Sequence, residues 1–248
     1  MPIRLSLLRR SPPAGPADPP VRKVIAGLLG LCAVLVPFGA WQQHLSAVSA
    51  ASPLPDDVGQ DACAIWFVGS SSMRNWNDIQ TDMAPWTTHN RSIGGASLVE
   101  LTSRFGNGRN PHPPQAIVFY AGENDLAYGV PAAKVTQEFV AFLKLKRKRM
   151  GSVPLIFVSV KPSPTRWANF AEQSAYNAAV AKLAASEPDL SFINTVPQFL
   201  DAGKPGDFYL EDGIHLSPAG YQIWGRAVRG HVRDALPPRV VGRCDRSL

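Results

Sequence analysis

Four short apolar runs and one weaker β-branched stretch constrain this chain more than any other feature. Cys63–Val68 (CAIWFV), Thr87–Arg91, Ala116–Tyr120 (AIVFY), Pro154–Val160 (PLIFVSV) and Leu190–Asn194 (LSFIN) are rich in β-branched, aliphatic and aromatic residues and read as strands, the second being the weakest. Helical patterns lie between them. Ala132–Met150 places Val135, Phe139, Phe142 and Leu143 at 3.6-residue spacing, Trp167–Ser186 is alanine-rich, and Pro218–Ala235 carries Tyr221, Ile223, Trp224 and Val228. Strands that alternate with helices predict parallel pairing through right-handed crossovers. Strands apolar on both faces need helices on both sides. The expected fold is therefore α/β: a three-layer α/β/α sandwich around a mostly parallel five-stranded sheet, without internal repeats or a second folded domain.

Charge is unevenly placed. The 248 residues carry a net +6, but Arg4, Arg9, Arg10, Arg22 and Lys23 against Asp18 give the first 50 residues +4 of it. The rest is nearly neutral, which argues against nucleic acid as a partner. Val24–Trp41 is an uncharged run of 18 residues behind that basic, proline-rich leader. Val48-Ser49-Ala50 has the small-x-small form of a signal-peptidase site. Residues 1–50 are expected to be an export signal or an N-terminal membrane anchor acting through residues 24–41, residues 51–60 a linker, and residues 61–248 the folded body. Positive charge before the apolar run keeps the leader in the cytosol and sends the body outward, to the periplasm or beyond.

Three cysteines are present. Cys32 lies in the apolar run, and the large Leu31 before it argues against a lipoprotein cleavage site. Cys63 and Cys244, near the two ends of the body, form a candidate disulfide in an oxidising compartment; the alternative is two free thiols. No Cys/His spacing suggests a zinc site.

In parallel sheets, ligands gather beyond the carboxyl ends of the strands. Four stretches there carry chemistry. After the first strand comes Gly69-Ser70-Ser71-Ser72, either a helix cap or a nucleophile. Met73 excludes the G-x-S-x-G elbow of α/β-hydrolases. After the second comes NRSIGGAS (Asn90–Ser97), where Gly94-Gly95 permits close backbone approach to a ligand. After the third comes GEND, in which Asn124 can donate through its amide. Near the C-terminus, DGIH places Asp212 three residues before His215, so a carboxylate can hold one ring nitrogen and leave the other free. Each stretch alone reads as an ordinary turn or cap. Together they supply the parts of a serine esterase.

The four blocks, in that order, resemble the SGNH hydrolases, also called GDSL lipases/esterases, from about Ile65 to Trp224. The resemblance implies a flavodoxin-like sandwich with Ser71 as nucleophile, Asp212 and His215 completing the triad, and an oxyanion hole from the Ser71 N–H, the Gly95 N–H and Asn124. It also implies an ester substrate and neither metal nor organic cofactor. The main departure is Ser70 where the family has aspartate, which keeps Ser70 and Ser72 open as alternative nucleophiles. Glu123 is a milder departure, whereas Arg74 and Trp76 match some relatives. Two other readings remain: an acyltransferase or O-acetyl esterase acting on cell-envelope polysaccharide, and a non-catalytic envelope-binding module. His44, His89, His112 and His231 stand outside the motifs. The basic run Lys144–Arg149 reads as a solvated helix end, and Trp167 and Phe170 as core or substrate wall.

Overall fold

The computed structural model describes residues 52–55, 61–108 and 112–245, which belong to one compact unit, Ser49–Leu248. The apolar run 24–41, the small-x-small site and most of the 51–60 linker lie outside the described residues.

All five expected strands form: β1 (Ala64–Gly69), β2 (Thr87–Asn90), β3 (Ala116–Tyr120), β4 (Leu155–Val158) and β5 (Leu190–Ile193). They make one sheet in the order β2-β1-β3-β4-β5, every pairing parallel. Eight α-helices are described: α1 (Ser71–Arg74), α2 (Ile79–Asp82), α3 (Leu98–Asn107), α4 (Glu123–Ala127), α5 (Ala132–Met150), α6 (Phe170–Ala184), α7 (Pro218–Ala235) and α8 (Pro238–Cys244). Alternation along the strands divides the core. Ile65, Phe67, Val118, Tyr120, Ile156 and Val158 pack under α1, α2, α7 and α8, whereas Trp66, Val68, Ile117, Phe119, Leu155 and Phe157 pack under α3, α5 and α6. Both faces are covered, as continuous apolar strands require.

Several boundaries differ from the sequence reading for identifiable reasons. β4 stops at Val158 because the Asn177 side chain takes over the strand's polar groups: its Oδ1 accepts from Val160 N at 2.8 Å and its Nδ2 donates to Val160 O at 2.8 Å. β2 stops at Asn90, and Arg91 turns inward, its guanidinium 4.1 Å from the Trp66 ring centroid. Trp167–Asn169 is a 3-10 turn that precedes α6. A two-residue antiparallel hairpin, β6 (Leu200–Asp201) with β7 (Lys204–Pro205), was too short to leave a periodic signal.

The basic run at the end of α5 is not simply a solvated end. Lys146 is fully buried and donates to Asp189 Oδ2 at 2.6 Å, and Arg147 bridges Asp189 and Glu187. The hydrogen bonds from Arg147, against a smaller opposing effect of burial, hold the Asp189 carboxyl well below the usual range. The helix is thereby pinned to the turn entering β5.

Cys63 and Cys244 form a disulfide that joins the start of β1 to the end of α8 across 181 positions. Among the described residues, no helix is long and apolar enough to cross a membrane. A cross-link closing so long a loop removes much of the unfolded chain's freedom. Replacing both cysteines by serine should lower the unfolding free energy by about 2–5 kcal/mol. Urea denaturation measures this, and an unchanged midpoint would contradict the constraint.

Candidate active site

The carboxyl ends of β1 and β3 are neighbours, since Gly69 pairs with Tyr120. The chain leaves them in different connections, so a crevice opens there, at the topological switch point of this strand order. Each sequence-predicted residue arrives at this edge from a separate connection.

Ser71 is the first residue of α1, directly after β1. Its two neighbours are buried, and Ser70 donates its N–H to Tyr120 O at 3.0 Å. Of the three serine hydroxyls, that of Ser71 meets the histidine, with Oγ 2.8 Å from His215 Nε2. The other ring nitrogen, Nδ1, lies 2.5 Å from Asp212 Oδ2. Asp212 Oδ1 accepts from the N–H groups of Ile214 at 2.8 Å and His215 at 2.9 Å, so the carboxylate is fixed on both oxygens. Burial pushes the Asp212 carboxyl up, but the hydrogen bonds from His215 and Ile214 outweigh it and bring the pKa to about 2. An ionised carboxylate only accepts, so His215 carries its proton on Nδ1 and offers Nε2 to the serine.

The loop bearing this pair is clasped from both sides. Leu210 N donates to His215 O at 2.8 Å and Ser217 N to Phe208 O at 2.9 Å. Thr165, from the connection after β4, donates its hydroxyl to Asp212 O at 2.7 Å. Ser217 then caps α7, its Oγ accepting from Gly220 N at 3.3 Å, with Pro218 in the first turn.

Two further connections bring donors. Gly95 sits at φ +72°, and a side chain there would meet nothing within 4 Å. Backbone conformation, not space, is what asks for glycine. Gly122 begins the turn out of β3 at φ +101°, where a Cβ would lie 2.6 Å from the Tyr176 ring. That turn places Asn124 in α4 with Nδ2 donating to Ala96 O at 3.0 Å. Asp125, the next residue, accepts from Leu98 N at 3.2 Å with both oxygens, and burial raises its pKa. The GEND turn and the Gly-Gly turn are thus braced to each other twice. The N–H groups of Ser71 and Gly95 donate to no protein acceptor among the described residues.

Three charged residues were missed as part of this edge. Glu123 is buried and receives Lys161 Nζ at 3.2 Å, Arg166 Nη1 at 3.2 Å and the Tyr120 hydroxyl. Arg166 Nη2 also donates to Asn124 Oδ1 at 3.0 Å, and Lys161 Nζ to Ile214 O at 2.8 Å. Burial lowers the Lys161 pKa, opposed by Glu123. A lysine directly beyond an apolar strand, and a glutamate inside GEND, were the available signals. Trp76 is buried against Tyr221 and Trp224, while Trp167 and Phe170 stack on each other, half-buried.

Residues 58–223 match the profile of the GDSL-like lipase/acylhydrolase family, about two thirds of the chain. The protein belongs to this family. No curated protein matches the chain significantly. Among solved structures, a GDSL-like lipase from Bacteroides thetaiotaomicron is 21% identical, with 78% of this chain and 98% of that chain covered at a TM-score of 0.60. A lipase/acylhydrolase from Enterococcus faecalis is 17% identical over 71% and 97% of the two chains, with a TM-score of 0.59. A catalytic mutant of an acetylxylan esterase from Geobacillus stearothermophilus is 15% identical over 71% and 96%, with a TM-score of 0.56. At these identities the likeness to the solved structures is one of fold. Against that background, serine in place of the GDSL aspartate at position 70 leaves this buried position without a charge.

The Asp212 pKa has a testable consequence. A carboxyl whose folded value lies near 2, below its unfolded value of about 3.9, stabilises the fold above pH 4. That contribution is lost as pH falls through the folded value. The wild type should melt above Asp212→Asn at pH 6, and the gap should close towards pH 2. A gap that widens on acidification would contradict the assignment.

Proposed function

We propose that the protein is an exported serine ester hydrolase that cleaves carboxylic esters through an acyl-Ser71 intermediate. The observation that carries this is the continuous chain Asp212–His215–Ser71, ending at a serine whose own N–H donates to no protein acceptor among the described residues. His215 Nε2 takes the hydroxyl proton as Ser71 Oγ attacks the ester carbonyl carbon. Asp212 keeps the imidazole in the required tautomer and stabilises the imidazolium. The carbonyl oxygen, now an oxyanion, is held by the N–H groups of Ser71 and Gly95 and by the second amide hydrogen of Asn124. Collapse breaks the bond to the alcohol oxygen, which leaves with the proton from His215. Water, deprotonated by His215, then attacks the acyl carbon and restores Ser71. The residues themselves accomplish every proton transfer, so the scheme uses no metal or cofactor.

Export is supported by the basic leader with its apolar run and by the Cys63–Cys244 disulfide, a bond that persists in oxidising compartments. On this reading residues 1–50 deliver or anchor the domain that begins near residue 61.

The purified body, Ala51 to Leu248, should hydrolyse p-nitrophenyl esters, and Ser71→Ala should abolish that hydrolysis. Asn124→Ala should lower kcat about 100- to 1,000-fold, the usual cost of one oxyanion donor. Activity that survives Ser71→Ala would overturn the nucleophile, and an unchanged kcat in Asn124→Ala would remove that donor.

A further inference from the structure

Glu123 and Lys161, both buried, form with the half-buried Arg166 a charge cluster that the hydrolytic scheme does not use. A carboxylate this deep needs a cation, and Lys161, itself fully buried, supplies one at 3.2 Å. Arg166 is then a second cation, beyond the one that Glu123 needs. Its position suggests another use, because the guanidinium fork spans two residues: Nη1 on Glu123 Oε1 at 3.2 Å and Nη2 on Asn124 Oδ1 at 3.0 Å.

We infer that Arg166 is a positioning residue for the oxyanion donor Asn124: it fixes which end of the amide faces the site and sets a positive charge behind it, with Glu123 as anchor. This inference rests on the hydrolase reading above. The amide has two possible orientations that differ by exchange of O and N. In the observed one, Oδ1 accepts from Arg166 and Nδ2 donates to Ala96 O at 3.0 Å. A flipped amide would set donor against guanidinium and oxygen against carbonyl, so both contacts would become repulsive. The second N–H of Nδ2 then has no protein acceptor among the described residues and is the donor left for the oxyanion. The adjacent guanidinium also draws electron density towards Oδ1 and makes that N–H a stronger donor. The surplus positive charge is complementary to the oxyanion, which exists only during reaction, so its effect should fall on kcat rather than KM. Arginine suits the task because its planar fork holds the two N–H groups at a fixed separation and angle, which the freely rotating ammonium of lysine does not.

A double-mutant cycle on p-nitrophenyl acetate tests this. Arg166→Gln should lower kcat about 10- to 100-fold, less than loss of the donor itself, with KM within about threefold. In the Asn124→Ala background the same substitution should cost clearly less, because the orienting effect is gone and only that of the charge remains. Lys161 still neutralises Glu123 in Arg166→Gln; should that variant fail to fold, Arg166→Lys takes its place in the cycle and is expected to lose an intermediate amount. An undiminished loss in the Asn124→Ala background would mean a general structural role and overturn the inference. So would an unchanged kcat in Arg166→Gln while Asn124→Ala is impaired. If Asn124→Ala itself keeps full kcat, the oxyanion assignment falls, and this inference falls with it.

Discussion

Everything at this site depends on the parallel pairing of β1 with β3. Those two strands begin connections that open the crevice between them, and their ends deliver Ser71 and Asn124 to its two sides. The pairing is held by the core on each face, where side chains such as Phe67 and Phe119 are fully buried. Each buried side chain of that size contributes about 1.5–3 kcal/mol, and the sheet collects many of them. At the edge, polar contacts add to this packing.

That polar bracing follows one plan. Backbone carbonyls and amides near each functional residue are tied to a side chain from a different connection. Asn124 and Asp125 grip Ala96 and Leu98, Thr165 grips Asp212, and Lys161 grips Ile214. The loops therefore cannot move independently. Reacting groups held within a fraction of an ångström need no reorganisation when charge develops, which is the main source of electrostatic catalysis. The cost is buried charge, and the Glu123 cluster concentrates it at one place. Lys161 and Arg166 both come from the connection after β4, so all five strand ends, not four, contribute to the site.

Much of this was legible in the sequence, for local reasons. Ser71, Gly95, Asn124, Asp212 and His215 each lie in a compact motif directly after a strand or before a helix, so the strand pattern alone places them on one edge. Four of the five strands were legible because each is a largely apolar run, whereas β2, Thr-Thr-His-Asn, rests on its two β-branched threonines alone. The helices α1, α2 and α4 were not, since four or five residues cannot display a 3.6-residue period, and α3 and α8 went unread as well. Arg166 was hidden because its partner Asn124 is 42 positions away, and no local pattern marks such a contact. The basic run Lys144–Arg149 misled for the same reason: its partners Glu187 and Asp189 arrive from another part of the chain. Among the three serines, sequence left the choice to family register, and only the distance to His215 separates them.

The central claim is that Ser71, activated by His215, becomes acylated. Covalent labelling with a fluorophosphonate followed by peptide mass mapping tests it most directly, because the reagent phosphonylates an activated serine and stays attached. One adduct is expected, on Ser71, and it should disappear in His215→Ala. An adduct on Ser70 or Ser72, or a folded wild-type protein that takes no label, would contradict it.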